Sequence, residues 1–259
     1  MRGDQTNRFV SAESDVELAK RLATEAGKIL LVLQHAFGLA GKALGKAGDE
    51  GANAYLMREL RAARPGDAIL SEEEKDDLDR LSAARVWIVD PLDGTREYGE
   101  ARDDWAVHVA LSVNGVPVVG AVALPALDLT LTSADNRILY AANKPLKMVV
   151  SRTRPAAQAV AIAATIGAET LPMGSAGAKA MAVVRGEADI YLHTGGQYEW
   201  DNCAPAAVAL AAGLHVSRID GSPLRYNNPD PYMPDLLICR PECAEAILAM
   251  IADDAGRLG

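Results

Sequence analysis

The sequence predicts a mixed protein in two parts, an α+β unit over residues 1–146 and an α/β unit over residues 147–259. Three patterns carry this expectation. Two stretches of helical period open the chain, β-type runs joined by hairpin signals follow, and after residue 147 short apolar runs alternate with helical ones.

Ser14-Asp15-Val16-Glu17 pairs a hydroxyl residue with a Glu three positions on, a capping box that satisfies free N–H groups where a helix begins. Leu18, Leu22, Ala26, Ile29, Leu30 and Leu33 then recur every three or four residues as one apolar stripe, and Gly38 is the stop. His35 is read as a surface or capping residue. A glycine-spaced segment, 41–49, leads into a second helix that starts at Asp49, carries Ala52, Leu56, Leu60 and Ala63, and stops at Pro65-Gly66. As an N-cap there, Asp49 is worth about 1 kcal/mol. Ala68-Ile69-Leu70 is a short strand running into Ser71-Glu72-Glu73-Glu74, and this acidic run, continued by Asp76, Asp77 and Asp79, has the pattern of a solvated face.

Residues 86–89 are a continuous apolar, β-branched run and read as a buried strand. Residues 105–112 alternate as a strand, Asn114-Gly115 is a hairpin turn and 116–123 return from it; 128–132 and 137–141 make a second pair around Asp135-Asn136. In the second part, Met148-Val149-Val150 leads to Ser151-Arg152, a helix begins after Pro155, and a strand near Thr170 precedes a helix opened by Gly174-Ser175-Ala176-Gly177-Ala178-Lys179. That opening is a small-residue cap or an anion seat on free backbone N–H groups, with spacing alone favouring neither. A strand at 188–193 follows, Asp201 opens an Ala-rich helix as its N-cap, and a strand at 236–239 and a helix at 242–252 close the chain. His193 and His215 sit on apolar runs without a metal-ligand partner at helical spacing, and read as core histidines.

With 259 residues, 49% of them hydrophobic and 24% charged, the composition is that of a soluble globular protein. No apolar run reaches the ~18 residues of a spanning helix, and the polar start Met1-Arg2-Gly3-Asp4-Gln5 lacks the apolar centre of a signal peptide, so a cytoplasmic protein without membrane contact is expected. Cys203, Cys239 and Cys243 form no paired pattern and read as reduced thiols. The net charge of −9, without a basic stripe, argues against a nucleic acid polymer as partner. Oligomeric state stays open, a homodimer included.

The chemistry concentrates in Trp87-Ile88-Val89-Asp90-Pro91-Leu92-Asp93-Gly94-Thr95, with Arg96-Glu97-Tyr98 behind it. A buried strand delivers two carboxylates into a turn. Pro91 fixes its own φ and biases Asp90 toward extended backbone, while Gly94 tolerates the positive φ of a turn. Asp90 and Asp93 thus emerge as a rigid pair, the Leu92 carbonyl can turn inward between them, and Thr95 adds a hydroxyl; these are the hard oxygen donors that Mg²⁺ prefers. An isolated Asp-Pro-x-Asp-Gly reads equally well as a tight loop, whereas the full DPLDGT after a strand is far more specific.

DPLDGT is the signature of the lithium-sensitive, Mg²⁺-dependent phosphomonoesterases, and over nearly its whole length the chain resembles the inositol monophosphatase and fructose-1,6-bisphosphatase superfamily. Within it, Arg96-Glu97-Tyr98 after the motif is most similar to the phosphoadenosine phosphatase branch of sulfate assimilation, the 3′(2′),5′-bisphosphate nucleotidases. The resemblance implies a layered α-β-α-β-α sandwich and two or three Mg²⁺ ions held by Glu72, Asp90, the Leu92 carbonyl, Asp93 and Asp201. Glu72 matches the superfamily's Glu-Glu pair, and Trp200-Asp201 with Ala204 matches its second motif, Trp-Asp-x-x-Ala. Glu72, Thr95 and Asp49 are the implied catalytic residues; Lys46 stands where the family has a Thr ahead of the Asp, which leaves the role of Asp49 open. Substrate contacts are implied for Asp93, Gly94, Thr95, Ser151, Arg152, Ser175, Lys179 and Asp201.

The implied reaction is hydrolysis of the 3′-phosphate of adenosine 3′,5′-bisphosphate, a small-molecule phosphate ester, with phosphoadenylyl sulfates as related substrates. Inositol or fructose phosphates are the alternative substrates, and a cation-binding module without catalysis is the alternative class. Two carboxylates ~4 Å apart repel by about 4 kcal/mol at an effective dielectric of roughly 20, so such a cluster is tolerable chiefly when cations occupy it.

Overall fold

The computed structural model describes residues 13–36, 38–76, 78–135 and 140–257. Helices α1 (Asp15–Ala36) and α2 (Gly41–Ala63) come first, then strands β1 (Ala68–Ser71) and β2 (Arg85–Asp93), the short helix α3 (Thr95–Gly99), and strands β3 (Ala106–Val113), β4 (Val116–Leu124) and β5 (Leu129–Thr132). There follow β6 (Lys147–Ser151), α4 (Ala157–Ile166), β7 (Glu169–Met173), α5 (Ala176–Val184), β8 (Ile190–His193), β9 (Gln197–Tyr198) and α6 (Glu199–Ala211). The chain closes with β10 (His215–Ser217), β11 (Tyr232–Met233), β12 (Leu236–Cys239) and α7 (Pro241–Arg257).

Strands β1 to β5 form one sheet in chain order, parallel between β1 and β2 and antiparallel elsewhere. The second sheet has the order β10-β12-β8-β6-β7, and β9 pairs with β11 in a separate ribbon. Side chains alternate across a strand, so each sheet feeds two cores. Trp87 and Val89 of β2 join Leu18, Leu22, Leu56 and Leu60 in the core under α1 and α2. Val86 and Ile88 of the same strand face the middle core, where they meet Met181 and Val183 of α5, Cys203 and Val208 of α6, and Tyr191 and Ile238 of the second sheet. Ile190, Leu192 and Leu237 turn the other way onto Ile162 of α4 and Ile247 of α7. The result is the five-layer α-β-α-β-α sandwich.

Local signals hold where they are self-contained. Ser14 and Glu17 exchange the capping-box bonds, Glu17 Oε2 accepting the Ser14 N–H at 2.9 Å and Ser14 Oγ the Glu17 N–H at 3.3 Å. Asn114 and Gly115 take φ of 51° and 78°, as a tight hairpin with two left-handed residues requires.

Three expectations are corrected. Helix α2 begins at Gly41, eight residues before Asp49, so Asp49 lies inside the helix and caps nothing. Glycine costs a helix about 1 kcal/mol per residue, but here it is needed for close approach: a Cβ on Gly45 would lie 2.7 Å from Thr95 Cγ2, and one on Gly48 would lie 2.8 Å from Tyr98 and 2.9 Å from Leu92. Helix α6 begins at Glu199, so Asp201 sits in its first turn and reaches back to accept the Tyr198 N–H at 2.6 Å. Strand β2 runs on through Pro91 to Asp93, with its register to β3 shifting between Asp90 and Asp93. The expected strand at 137–141 and Asp77 of the acidic run lie largely outside the described residues.

Candidate active site

Strand β2 lies between parallel β1 and antiparallel β3, and its end carries the acidic loop. Asp90 is buried and its Oδ1 accepts the Leu92 N–H at 3.0 Å, which curls the loop back on itself. The shift in register after Asp90 lets a second carboxylate, Asp93, emerge three residues on. Gly94 follows at φ 91°, where a Cβ would come within 2.9 Å of Ser175. Thr95 Oγ1 lies 3.2 Å from the Leu92 carbonyl and 3.3 Å from Asp49 Oδ1, so its one proton is offered to either acceptor. The glycines of α2 bring Asp49 to that hydroxyl.

Asp93 is the most fully held of the group. Its Oδ1 accepts the Ala176 N–H at 3.1 Å and its Oδ2 the Gly177 N–H at 2.6 Å, both from the first turn of α5. His108 of β3 stands behind it, fully buried, with Nε2 3.2 Å from Asp93 Oδ2 and off the line of a good hydrogen bond. The other nitrogen, Nδ1, faces the Trp200 carbonyl at 3.0 Å and must carry a proton to bond it, so Nε2 is protonated only in the imidazolium. Burial opposes that charge and the Asp93 carboxylate favours it, and the balance raises His108 above its ordinary value. Burial likewise opposes ionisation of Asp93, but His108 and the Gly177 N–H hold its carboxyl below the usual range.

Asp90, Asp93 and Asp201 each place one carboxylate oxygen so that all three lie within 4.8 Å of one another. At that separation, and with an effective dielectric of about 20, each ionised pair costs roughly 3.5 kcal/mol. Burial and this repulsion favour the protonated forms of Asp90 and Asp201, while Asp93 is held ionised by His108 and the Gly177 N–H. Burial, then the charges of Glu72 and Asp93, raise Asp90 well above the ordinary carboxylate value. Burial and the charge of Asp93 push Asp201 up to about 6. Glu72, at the end of β1, is pushed up to about 7 by burial and by Asp201, and it shares a hydrogen bond with Asp90 that two carboxyls can make only when one is protonated. Burial and the charge of Glu73 raise Asp49 to about 7.

The expected substrate residues are placed less uniformly. The backbone N–H groups around the start of α5 already have acceptors: Gly174 donates to Asp104 Oδ2, Ser175 to the Asp104 carbonyl, Ala176 and Gly177 to Asp93, and Ala178 to Ser175 Oγ. The anion seated on that helix start is therefore the protein's own Asp93. Lys179 is buried, its ammonium donating to the Gly174 carbonyl and, at 2.7 Å, to the Ser175 carbonyl, with the Tyr191 ring 5.4 Å away. Arg152 is held by Glu97 and Glu100, each at 2.8 Å. Arg154, two residues on, lines the cleft, and so does Ser151.

That cleft has a volume of about 390 Å³. Glu72, Asp93, Thr95 and Asp201 make its acidic end, Arg96, Arg154 and Lys179 contribute positive charge, and Tyr191, Tyr198 and Trp200 supply aromatic surface. Tyr198 and Trp200 are stacked at 4.8 Å with planes 8° apart. His108, Arg154 and Tyr198 are absent from the sequence-based expectations, and Trp200 enters them only as part of the Trp-Asp-x-x-Ala motif. The available signal for His108 was a titratable residue in a strand whose other polar residue is Ser112; its place opposite Asp90 depends on strand register.

The inositol monophosphatase family model matches residues 12–170 and 147–254. The chain belongs to the inositol monophosphatase family. A relative from Mycobacterium bovis named 3′-phosphoadenosine 5′-phosphate phosphatase is 54% identical over 240 residues, 88% of this chain and 90% of that one. The 3′(2′),5′-bisphosphate nucleotidase CysQ of Escherichia coli is 31% identical over 72% of this chain and 81% of its own. Among solved structures, CysQ from Bacteroides thetaiotaomicron superposes with a TM-score of 0.77 at 25% identity, covering 88% of this chain and 97% of that one. An inositol monophosphatase from Anabaena superposes at 0.75 with 20% identity, 92% of this chain and 95% of that one, and shares the fold.

In this family member the donor set fits a hard divalent cation. The clustered donors are carboxylate oxygens, His108 is turned to Asp93 and the Trp200 carbonyl, and the like charges within 4.8 Å have no neutralising cation among the three residues themselves. Among the described residues no helix is long and apolar enough to cross a membrane.

Proposed function

We propose that the chain is a Mg²⁺-dependent phosphomonoesterase that hydrolyses the 3′-phosphate of adenosine 3′,5′-bisphosphate, and the matching ester of phosphoadenylyl sulfate, in sulfur metabolism. The observation that carries the reading is the convergence of Asp90, Asp93 and Asp201, the last two lining a cleft that also presents Arg96, Arg154 and Lys179 and the aromatic Tyr191, Tyr198 and Trp200. The named relatives at 54% and 31% identity support the nucleotide substrate.

Asp90, Asp93 and Asp201, with Glu72 and the Leu92 carbonyl, would hold Mg²⁺. Bound Mg²⁺ supplies charge that neutralises phosphate oxygens and makes water more acidic. The chain's own part is positioning and proton handling. His108 and the Ala176 and Gly177 N–H groups fix Asp93, and the Tyr198 N–H fixes Asp201. With its proton given to Asp49, the Thr95 oxygen is free to accept a hydrogen from the attacking water, and the Glu72 carboxylate, on the same cleft wall, is the acceptor for the proton that water gives up. Water adds to phosphorus, the bond from phosphorus to the 3′ oxygen breaks, and that oxygen leaves with a proton as the ribose hydroxyl. The products are adenosine 5′-monophosphate and inorganic phosphate.

Tyr198 and Trp200 give the nucleotide reading its advantage over inositol or fructose phosphates, because a flat apolar pair suits a nucleobase and offers a polyol little. A cytosolic setting belongs to the same reading and is supported by the free state of the three cysteines. Phosphate release from adenosine 3′,5′-bisphosphate, inositol 1-phosphate and fructose 1,6-bisphosphate, each with Mg²⁺ and with EDTA, tests it. The expected order places the nucleotide first and requires Mg²⁺; equal turnover of inositol 1-phosphate would move the assignment to the sugar phosphatases.

A further inference from the structure

Strand β3 alternates between two cores. Val107, Val109 and Leu111 face the core under α1 and α2, while Ala106 and Ala110 face the middle core. His108 lies on the second face, between the two alanines, and is fully buried. Burying an imidazole is unfavourable unless its nitrogens are bonded, and Nε2 makes no hydrogen bond. A polar ring on a face that otherwise carries Ala106, Ala110 and Ser112 needs a reason beyond filling space.

Its surroundings supply one. Nε2 stands 3.2 Å from Asp93 Oδ2, and Nδ1 3.0 Å from the carbonyl of Trp200, the residue before Asp201. The first turn of α5 closes over the ring so tightly that a Cβ on Gly177 would lie 2.1 Å from Nε2. One rigid ring therefore touches the loop that carries Asp93, the helix start whose N–H groups hold Asp93, and the helix start that carries Asp201. The bond that orients Asp201, from the Tyr198 N–H, lies within its own helix start. That bond fixes Asp201 to α6, and the ring fixes α6 to Asp93.

We infer that His108 is a positioning residue that sets Asp93 against Asp201 and so governs the affinity of the acidic cluster for Mg²⁺. The inference rests on the cation site of the proposed function. Mg²⁺ requires near-ideal octahedral geometry with oxygens at roughly 2.0–2.1 Å, so carboxylates delivered by separate elements serve it only when their spacing is held. Both ring nitrogens are turned to protein oxygens, so His108 acts through the two aspartates and not as a ligand.

Calorimetric titration of the whole chain with Mg²⁺, paired with urea unfolding in EDTA, tests this. His108→Leu keeps most of the buried volume and removes both polar contacts, whereas His108→Gln keeps an amide N–H that can face Asp93. His108→Leu should weaken Mg²⁺ binding by about tenfold or more, as when a residue that orients a metal ligand is removed, and His108→Gln should recover part of that loss. The Mg²⁺ concentration that half-saturates turnover should rise by the same factor, while KM for adenosine 3′,5′-bisphosphate at saturating Mg²⁺ changes by less than about twofold. Ile162→Ala, in the core beside α4 and α7, lowers stability far from the site and should bind Mg²⁺ as wild type does. His108→Gln by itself should still bind more weakly than wild type, so it decides the matter if the leucine variant does not fold. Wild-type affinity in the His108 variants, or an equal loss in Ile162→Ala, overturns the inference and leaves the cation site in place. Wild type that takes up no Mg²⁺ overturns that site, and the inference with it. Wild type that binds Mg²⁺ but turns over only inositol 1-phosphate overturns the proposed substrate instead, and the titration, needing no turnover, still decides the role of His108.

Discussion

Asp93 and Gly177, 84 positions apart, are joined by a 2.6 Å hydrogen bond in which the Gly177 N–H donates to Asp93 Oδ2. The bond makes an acidic residue of the first sheet the anion at the start of α5, so the helix dipole and the carboxylate stabilise each other. It also brings α5 so close to β3 that a Cβ on Gly177 would lie 2.1 Å from His108 Nε2.

Gly177→Ala should therefore cost about 1–3 kcal/mol by overpacking, outweighing the gain of at most ~1 kcal/mol that alanine brings to a helix. Because the displaced groups hold Asp93, Mg²⁺ affinity should fall with stability. Urea unfolding and calorimetric Mg²⁺ titration check this. Wild-type values for both would mean that α5 does not position Asp93.

Asp90→Asn removes one carboxyl from the three that converge within 4.8 Å. In EDTA its Tm should stay close to that of wild type, since burial and the neighbouring acids already favour the uncharged form of Asp90, while the Tm rise on adding Mg²⁺ and the release of phosphate should both be abolished. Full turnover by this variant would sink the assignment of Asp90 to the cation site.

The pH dependence has a defined sign. In the metal-free fold Glu72 and Asp49 titrate near 7 and Asp201 near 6, all above the roughly 4 of an unfolded carboxylate. The folded state binds these protons more tightly, so the groups support folding fully below about pH 4, and that support is withdrawn as pH rises through about 6 to 7. Cation binding needs the ionised forms. The difference in Tm between Mg²⁺ and EDTA should be largest above about pH 7 and shrink steadily toward about pH 5. A difference that does not change with pH would show that these carboxyls do not hold the cation.

Gly48→Ala tests the close approach of α2 to the acidic loop. On an exposed helix face the change would stabilise by up to ~1 kcal/mol, but here the new methyl meets Tyr98 at 2.8 Å, Leu92 at 2.9 Å and Leu30 at 3.0 Å. A net loss of about 1–3 kcal/mol is expected, and kcat should drop more than KM changes because Asp49 is drawn away from Thr95. Thermal unfolding and steady-state kinetics give the two readings.

Much of this arrangement was legible in short stretches. The capping box at Ser14, the Asn114-Gly115 turn and the strand that delivers Asp90 and Asp93 depend on period, propensity and turn chemistry within a few residues. The misreadings share one cause. Gly45 and Gly48 resemble part of a linker until Thr95, Leu92 and Tyr98 are seen against them, and the free N–H groups expected before Lys179 are free only until Asp93 arrives.

The sequence by itself determined which residues carry oxygen donors and which elements bear them, because a strand ending in Asp-Pro-Leu-Asp-Gly-Thr has few conformations open to it. Only the tertiary structure decided their partners. It set His108 behind Asp93, gave the backbone amides of α5 to a carboxylate of the protein, and locked Arg152 to Glu97 and Glu100 while Arg154 reached the cleft. Contacts between segments far apart in the chain depend on packing distance, and no local pattern encodes that distance.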